Sequence, residues 1–133
     1  LVELQPDGGC KLHRDQLLSF FQWFPPRRRG EAFTQAHKDY AAALQQVLED
    51  IVFHVLRHYR ETTGQQDLVV SGGVAQNSTL NGKLLGSGLF RHVYAGPCTA
   101  DSGCAIGVAL QVARQLQPDL PKRRVNEAYW GPD

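Results

Sequence analysis

Methionine is absent from this chain of 133 residues, and cysteine occurs only three times. The cysteines, at positions 10, 98 and 104, form no Cys-x-x-Cys pair and no even-numbered set. This pattern argues against a zinc knuckle and against a disulfide scaffold, and it indicates reduced thiols. A chain that begins with Leu1 instead of methionine also looks like a piece of a longer protein.

The chain has no large surplus of either charge and no long apolar run. Fourteen Lys and Arg residues stand against thirteen Asp and Glu residues, for a net charge of +1. A nucleic-acid partner is therefore not expected, because such partners require a basic surface. The apolar runs are far shorter than the roughly 18 to 20 residues that cross a bilayer, and the first residues lack the features of a signal peptide. The sequence predicts one small soluble domain in the cytoplasm, with no membrane partner.

The first third of the chain predicts a hairpin and a short helix. Apolar and polar residues alternate on both sides of a Pro-Asp-Gly-Gly turn, which is typical of a hairpin over residues 1–13. Asp15 is a candidate cap for a short helix that runs to about Phe21. The Pro- and Arg-rich segment 25–30 then breaks regular structure, and we interpret its three arginines as a solvated loop instead of a phosphate clamp.

A long amphipathic helix should follow. Apolar residues recur at steps of three and four between Tyr40 and Tyr59, which places them on one broad stripe. Thr34 is a suitable N-cap and Gly64 a suitable stop. We expect this helix to cover a sheet.

Two strand-turn-helix units complete the pattern. Residues 67–71 form a compact apolar run of the buried-strand type, followed by a glycine pair and a helix-compatible segment 77–85. A second short strand at 92–95 is followed by a helix of small residues from Asp101 to about Gln117. Strands that alternate with helices predict an α/β domain whose mixed sheet has a parallel portion and an antiparallel edge from the hairpin.

The glycine pair Gly72 and Gly73 is the first candidate site. Glycines between a strand and a helix let the backbone approach a ligand, and the N–H groups beyond them can hold a phosphate. Such a role requires at least one backbone conformation that a Cβ disfavours. The pair can also serve only as a turn, and the local sequence slightly favours that simpler role. It matches neither a Walker loop nor a dinucleotide fingerprint.

Asp101 is the second candidate, because it lies where a strand passes into a helix. Ligands gather at this edge of open α/β sheets. The carboxylate can cap the helix, or it can act as an oxygen ligand for a divalent metal. Gly103 and Gly107, one turn apart, thin one face of the helix, as close packing or ligand approach would require.

Two further features invite a metal or nucleophile interpretation that we do not favour. His54 and His58 share a helix face at the i, i+4 spacing, but the pair lacks the Glu of a zinc-protease helix. We expect both to be partly buried structural histidines. Cys104 lies near a helix N-terminus, where a thiol can become reactive, yet its small-residue surroundings favour a packing role.

Four segments, taken together and in order, resemble one family over nearly the whole chain. The segments are residues 30–39, 69–78, 100–107 and 128–132. They make the chain similar to the O-carbamoyltransferases of antibiotic and nodulation-factor biosynthesis. These enzymes resemble the universal tRNA threonylcarbamoyladenosine synthase in their first domain, which has an actin/Hsp70-like (ribonuclease H-like) nucleotide-binding fold of two similar halves.

The resemblance implies that this chain is only part of such an enzyme. Residues 1–128 would be the second half of the first domain, and residues 129–133 would begin the linker to a C-terminal domain. The first half and the C-terminal domain would then be partners that this chain lacks. On this view the isolated chain is inactive and tends to form a homodimer.

The resemblance also implies a chemistry. Carbamoyl phosphate and ATP combine to a carbamoyl adenylate, whose carbamoyl group passes to the hydroxyl of a small-molecule substrate. Gly72, Gly73, Val74 and Asn77 fall on the nucleotide-binding positions. Asp101 falls on the aspartate ligand of a divalent metal, which is iron in related proteins. No catalytic residue is assigned.

Two departures from the family bear on the metal. The family's metal histidines belong to the absent first half, so the pair at 54 and 58 does not take that role. Ser102 also follows Asp101 where the family often has an acidic or a small residue. A tRNA threonylcarbamoyladenosine synthase-like enzyme and a non-catalytic ATP-binding module of the same fold remain as alternatives.

Overall fold

The computed structural model describes residues 1–24 and 26–121, which form two compact units. The first unit is Leu1–Gln65, and the second begins at Gln66. The sequence predicted a single domain and gave no sign of this division. The predicted linker at 129–133, and the end of the predicted half-domain beyond residue 121, lie outside the described residues.

The first unit contains a hairpin and two helices. Strands β1 (Val2–Leu4) and β2 (Cys10–Leu12) pair in antiparallel register, with Val2 opposite Leu12. Helix α1 is Arg14–Trp23. Asp15 therefore lies in its first turn, so the prediction that Asp15 precedes the helix as its cap was wrong by two positions.

Helix α2 (Gln35–Thr63) ends where its sequence predicted. The Thr34 hydroxyl accepts a hydrogen bond from the backbone N–H of His37, and His37 Nδ1 accepts one from the N–H of Thr34 at 3.0 Å. Gly64 has a left-handed φ of 69° and donates to the carbonyl of Arg60 at 3.1 Å. Both ends are thus fixed by neighbouring residues in the sequence.

The arginine-rich loop is exposed, as predicted. The Arg27 guanidinium lies 4.4 Å from the centre of the Phe33 ring, and the Arg28 backbone N–H donates to the Glu31 carboxylate at 3.0 Å. The loop is held by its own side chains.

The second unit is built on two parallel strands. Strands β3 (Asp67–Val70) and β4 (His92–Ala95) pair with Asp67 opposite His92 and Val70 opposite Ala95. A short 3₁₀ turn, η1 (Gly73–Gln76), and helix α3 (Ser78–Gly86) connect them, and helix α4 (Ser102–Leu116) follows β4. The sequence predicted the two longer helices to within about a residue at each end and missed η1.

The described chain is α/β, with one antiparallel and one parallel two-stranded sheet. The predicted antiparallel hairpin and parallel pair are therefore both present, but they form two separate sheets and not one mixed sheet. Each strand has only three or four residues, so it offers few backbone hydrogen bonds to a further strand.

The hydrophobic core of the described residues is small. Its buried apolar members are Ala75, Leu80 and Leu84, all in the second unit. Leu80 and Leu84 hold α3, which packs against β4. By contrast, Val108 and Leu116 of α4 are 65% and 77% exposed. No described helix is both long and apolar enough to span a membrane.

Candidate functional site

The glycine turn at the end of β3 has the backbone that a ligand-binding loop requires. Gly72 adopts φ 90° and ψ 177°, a conformation that a Cβ strongly disfavours. This confirms the expected backbone geometry of the pair. A Cβ built on Gly73 meets no atom of the described residues within 4 Å, so the outer side of this turn is open in that part of the chain.

Two backbone N–H groups of the turn have no backbone acceptor within residues 1–24 and 26–121. Ala75 donates to the carbonyl of Gly72 at 3.1 Å, which closes the first turn of η1. The N–H groups of Gly73 and Val74 precede this bond and have no backbone acceptor among the described residues. They are the donors that the turn can offer to a ligand.

Thr99 connects the two candidate loops. Its carbonyl oxygen accepts a hydrogen bond from the Gly72 N–H at 2.7 Å and a longer one from the Ser71 hydroxyl at 3.4 Å. The Thr99 residue itself is only 8% exposed. Asp101 follows two positions later, so the glycine turn and the aspartate lie at the same end of the parallel sheet.

The Asp101 carboxylate is exposed and does not cap α4. Its backbone is right-handed helical, with φ −54° and ψ −30°, whereas a capping residue needs an extended backbone. The turn begins one residue earlier, where Gly103 donates to the carbonyl of Ala100 at 2.8 Å. The capping interpretation of Asp101 is therefore wrong.

Asn77 has a clear structural role. Its side-chain Oδ1 accepts a hydrogen bond from the backbone N–H of Leu80 at 3.0 Å and so caps α3. This bond accounts for the residue type. Contact of Asn77 or Val74 with a nucleotide stays a prediction.

The two histidines of α2 are partly buried, as predicted. His54 Nε2 lies 2.8 Å from the carbonyl oxygen of Gln5 in the hairpin turn. The ring of His58 packs so closely against Gly8 that a Cβ there would meet it at 2.5 Å. Both rings therefore hold the hairpin turn on α2.

Neither a metal cluster nor a packed Cys104 is found. Across residues 1–24 and 26–121, no three His, Cys, Asp or Glu side chains come together in a way that could hold a metal ion. Cys104 is exposed on α4, so the packing role expected for it is wrong. No residue of α4 is buried, so Cys104 shares the exposure of the whole helix.

An apolar cavity of about 320 Å³ lies beside the loops in the second unit. The ends of β3 and β4 line one side, and the thinned face of α4 lines the other through Gly103, Ile106, Gly107 and Leu110. The two glycines differ, however: a Cβ on Gly107 would meet no described atom within 4 Å, whereas one on Gly103 would collide with the backbone carbonyl of Cys98. Gly103 therefore serves close backbone packing, and Gly107 borders the open space. Ser71 and Thr99 also line this cavity. Thr99 was missed from the sequence because its carbonyl makes the bonds, and a backbone carbonyl is present in every residue type.

Comparison with known proteins identifies a family whose match covers both loops. A family model described as carbamoyltransferase N-terminus matches residues 9–110. Nodulation protein NolNO of Sinorhizobium fredii and nodulation protein NolO of Bradyrhizobium diazoefficiens are each 48% identical to this chain over 132 residues, which is 98% of its length. An uncharacterised protein of Synechocystis is 38% identical over 112 residues.

The region with the glycine turn and Asp101 is thus part of a known protein class. The chain belongs to the family of carbamoyltransferase N-terminal regions. It spans only 19% and 24% of the lengths of the two nodulation proteins.

Proposed function

We propose that this chain is the nucleotide-binding part of an ATP-dependent O-carbamoyltransferase. In the complete enzyme, water would release inorganic phosphate from carbamoyl phosphate, and the resulting carbamate would displace pyrophosphate from ATP to form a carbamoyl adenylate. The carbamoyl group would then pass to a hydroxyl of a small molecule, with AMP as the leaving group. Family membership supports the carbamoyl chemistry, and the glycine turn supports the use of a nucleotide.

The single observation that carries the nucleotide assignment is the coupling of the glycine turn to the Asp101 loop. The Gly72 N–H is committed to Thr99, so the phosphates would bind the next two donors, the N–H groups of Gly73 and Val74. The open side of Gly73 leaves room for a phosphate to approach the backbone. Asn77 would act close behind, mainly through its cap.

For the whole fold, we propose the second half of an actin/Hsp70-like domain. The parallel strands β3 and β4, joined through α3, support this assignment, and so does a ligand site where strands pass into helices. Residues 1–128 would form this half, with the linker from 129. The first half and a C-terminal domain would complete the site.

The described residues alone do not fit a bound iron or other divalent ion. Asp101 offers one exposed carboxylate, and no group of three ligands accompanies it in the described ranges. Hard cations need several oxygen ligands for tight binding. Asp101 is therefore proposed as one ligand among several that other parts of the enzyme supply, and the role of this chain rests on its own backbone donors.

The experiment that tests the proposal uses the full-length protein. Release of AMP and pyrophosphate from ATP should require both carbamoyl phosphate and a hydroxyl acceptor for sustained turnover. Binding of ATP without any release of pyrophosphate would instead support the non-catalytic module. Activity only with a tRNA acceptor would contradict the small-molecule acceptor.

The same proposal sets the expected partners and location. The acceptor is a hydroxyl-bearing small molecule, and neither nucleic acid nor a membrane is a partner. We propose a cytoplasmic enzyme, because the cytoplasm supplies ATP and the cysteines are free in the described residues.

A further inference from the structure

We propose that Asn81 is a positioning residue that holds the 3₁₀ turn of the glycine loop in its ligand-binding shape. The inference rests on the proposed use of this loop for ATP. Asn81 lies on α3, one turn after the Asn77 cap, and it does not belong to the glycine turn itself. Its side chain nevertheless reaches back to that turn.

Two hydrogen bonds of Asn81 join the helix to the segment before it. Its side-chain Nδ2 donates to the carbonyl oxygen of Ala75 at 2.7 Å, and its backbone N–H donates to the carbonyl of Asn77 at 3.0 Å. Ala75 is 3% exposed, so this carbonyl belongs to a buried residue. A buried carbonyl without a donor costs free energy, and Asn81 supplies the donor.

The helix that carries Asn81 is anchored by two fully buried leucines. Leu80 and Leu84 are each 1% exposed, and α3 packs against β4. Asn81 therefore transmits the position of a packed helix to the carbonyl of Ala75. The two residues that precede Ala75 are Gly73 and Val74, and their backbone N–H groups have no acceptor in the described chain.

The other side-chain atom of Asn81 makes the contact demanding. Its Oδ1 is buried and has no hydrogen-bond partner within the described part of the chain. A buried polar atom of this kind is normally costly. A leucine of similar volume would avoid the cost of the unpartnered Oδ1, but it would offer no N–H donor to the Ala75 carbonyl. The presence of asparagine is therefore consistent with a positioning role.

The cleanest test compares ligand affinities in the full-length protein. Asn81→Leu and Asn81→Asp both remove the donor, and Asp keeps the shape of the side chain. Each should weaken equilibrium binding of ATP by about five- to tenfold, the effect of one lost hydrogen bond. Binding of carbamoyl phosphate should change less than twofold. Asn81→Gln keeps an N–H donor and should recover part of the ATP affinity.

Leu85 is the matched control on the same helix. It is 65% exposed, and Leu85→Ala should leave the binding of both ligands unchanged. Unchanged ATP affinity in Asn81→Leu would overturn the inference while leaving the proposed function intact. So would an equal loss of affinity for both ligands together with a lower melting temperature, which would indicate a general structural role. Failure of the wild-type protein to bind ATP would overturn the proposed function itself.

Discussion

The backbone N–H of Gly72 donates to the carbonyl oxygen of Thr99 at 2.7 Å, across 27 residues of sequence. This bond joins the turn after β3 to the loop before α4. The glycine turn and the loop that carries Asp101 are therefore directly connected through the backbone.

Gly73→Val should abolish adenylate formation in the full-length enzyme and leave the fold largely intact. A Cβ added at Gly73 meets no described atom within 4 Å, so the expected damage is to phosphate approach. Pyrophosphate release measures the activity, and circular dichroism checks the fold. Gly82 is also unobstructed but lies within α3, so Gly82→Ala should keep activity and raise stability by about 0.5–1 kcal/mol. Normal turnover by Gly73→Val would contradict the loop assignment.

Leu84→Ala should destabilise the second unit by about 2–5 kcal/mol. Leu84 is 1% exposed, and truncation removes buried area and leaves a cavity in a core that has few other members. Leu85→Ala, next to it but 65% exposed, should change stability by less than about 0.5 kcal/mol. Urea unfolding monitored by circular dichroism measures both. Equal effects of the two substitutions would show that α3 packs differently.

The purified chain of 133 residues should hold iron or zinc at well below one ion per molecule. One exposed carboxylate cannot complete a coordination shell, and carboxylates alone bind divalent ions weakly. Elemental analysis after dialysis gives the ratio, and Asp101→Asn should not change it. A stoichiometric metal that resists a chelator would contradict this expectation and would return attention to His54 and His58.

The isolated chain should self-associate and should not turn over carbamoyl phosphate. Helix α4 exposes Val108 and Leu116, and uncovered apolar surface favours association. Light scattering over a concentration series should show dimers, and Val108→Gln with Leu116→Gln should reduce them. Gln115→Ala on the same helix is the control. Strictly monomeric behaviour at high concentration would refute the association, and measurable turnover would refute the expected inactivity.

The local features of this fold were predictable from sequence because local bonds decide them. The ends of α2 depend on Thr34 with His37 and on Gly64 with Arg60, all within a few residues. The φ of Gly72 follows from the need to turn from strand to helix without a Cβ. These are short-range choices that residue type alone can settle.

The features missed depend on backbone geometry or on distant residues. Asp101 was predicted to cap α4, but its backbone is already helical and its carboxylate makes no capping bond. The first turn starts one residue earlier, with the bond from the Gly103 N–H to the Ala100 carbonyl. Cys104 lies among small apolar residues, yet burial requires a partner surface that α4 lacks within the described residues. The bond from Asn81 to Ala75 spans six residues and has no motif of its own.

The local capping of α2 has a consequence for biosynthesis. A helix of 29 residues whose two ends are fixed by its own neighbours does not need later segments to define its limits. Helices of about 20 residues form within microseconds, whereas a ribosome adds roughly 5–20 residues per second. We therefore expect α2 to be formed during translation before β3 emerges, so that the nascent chain presents a finished helix while its parallel strands are still being made.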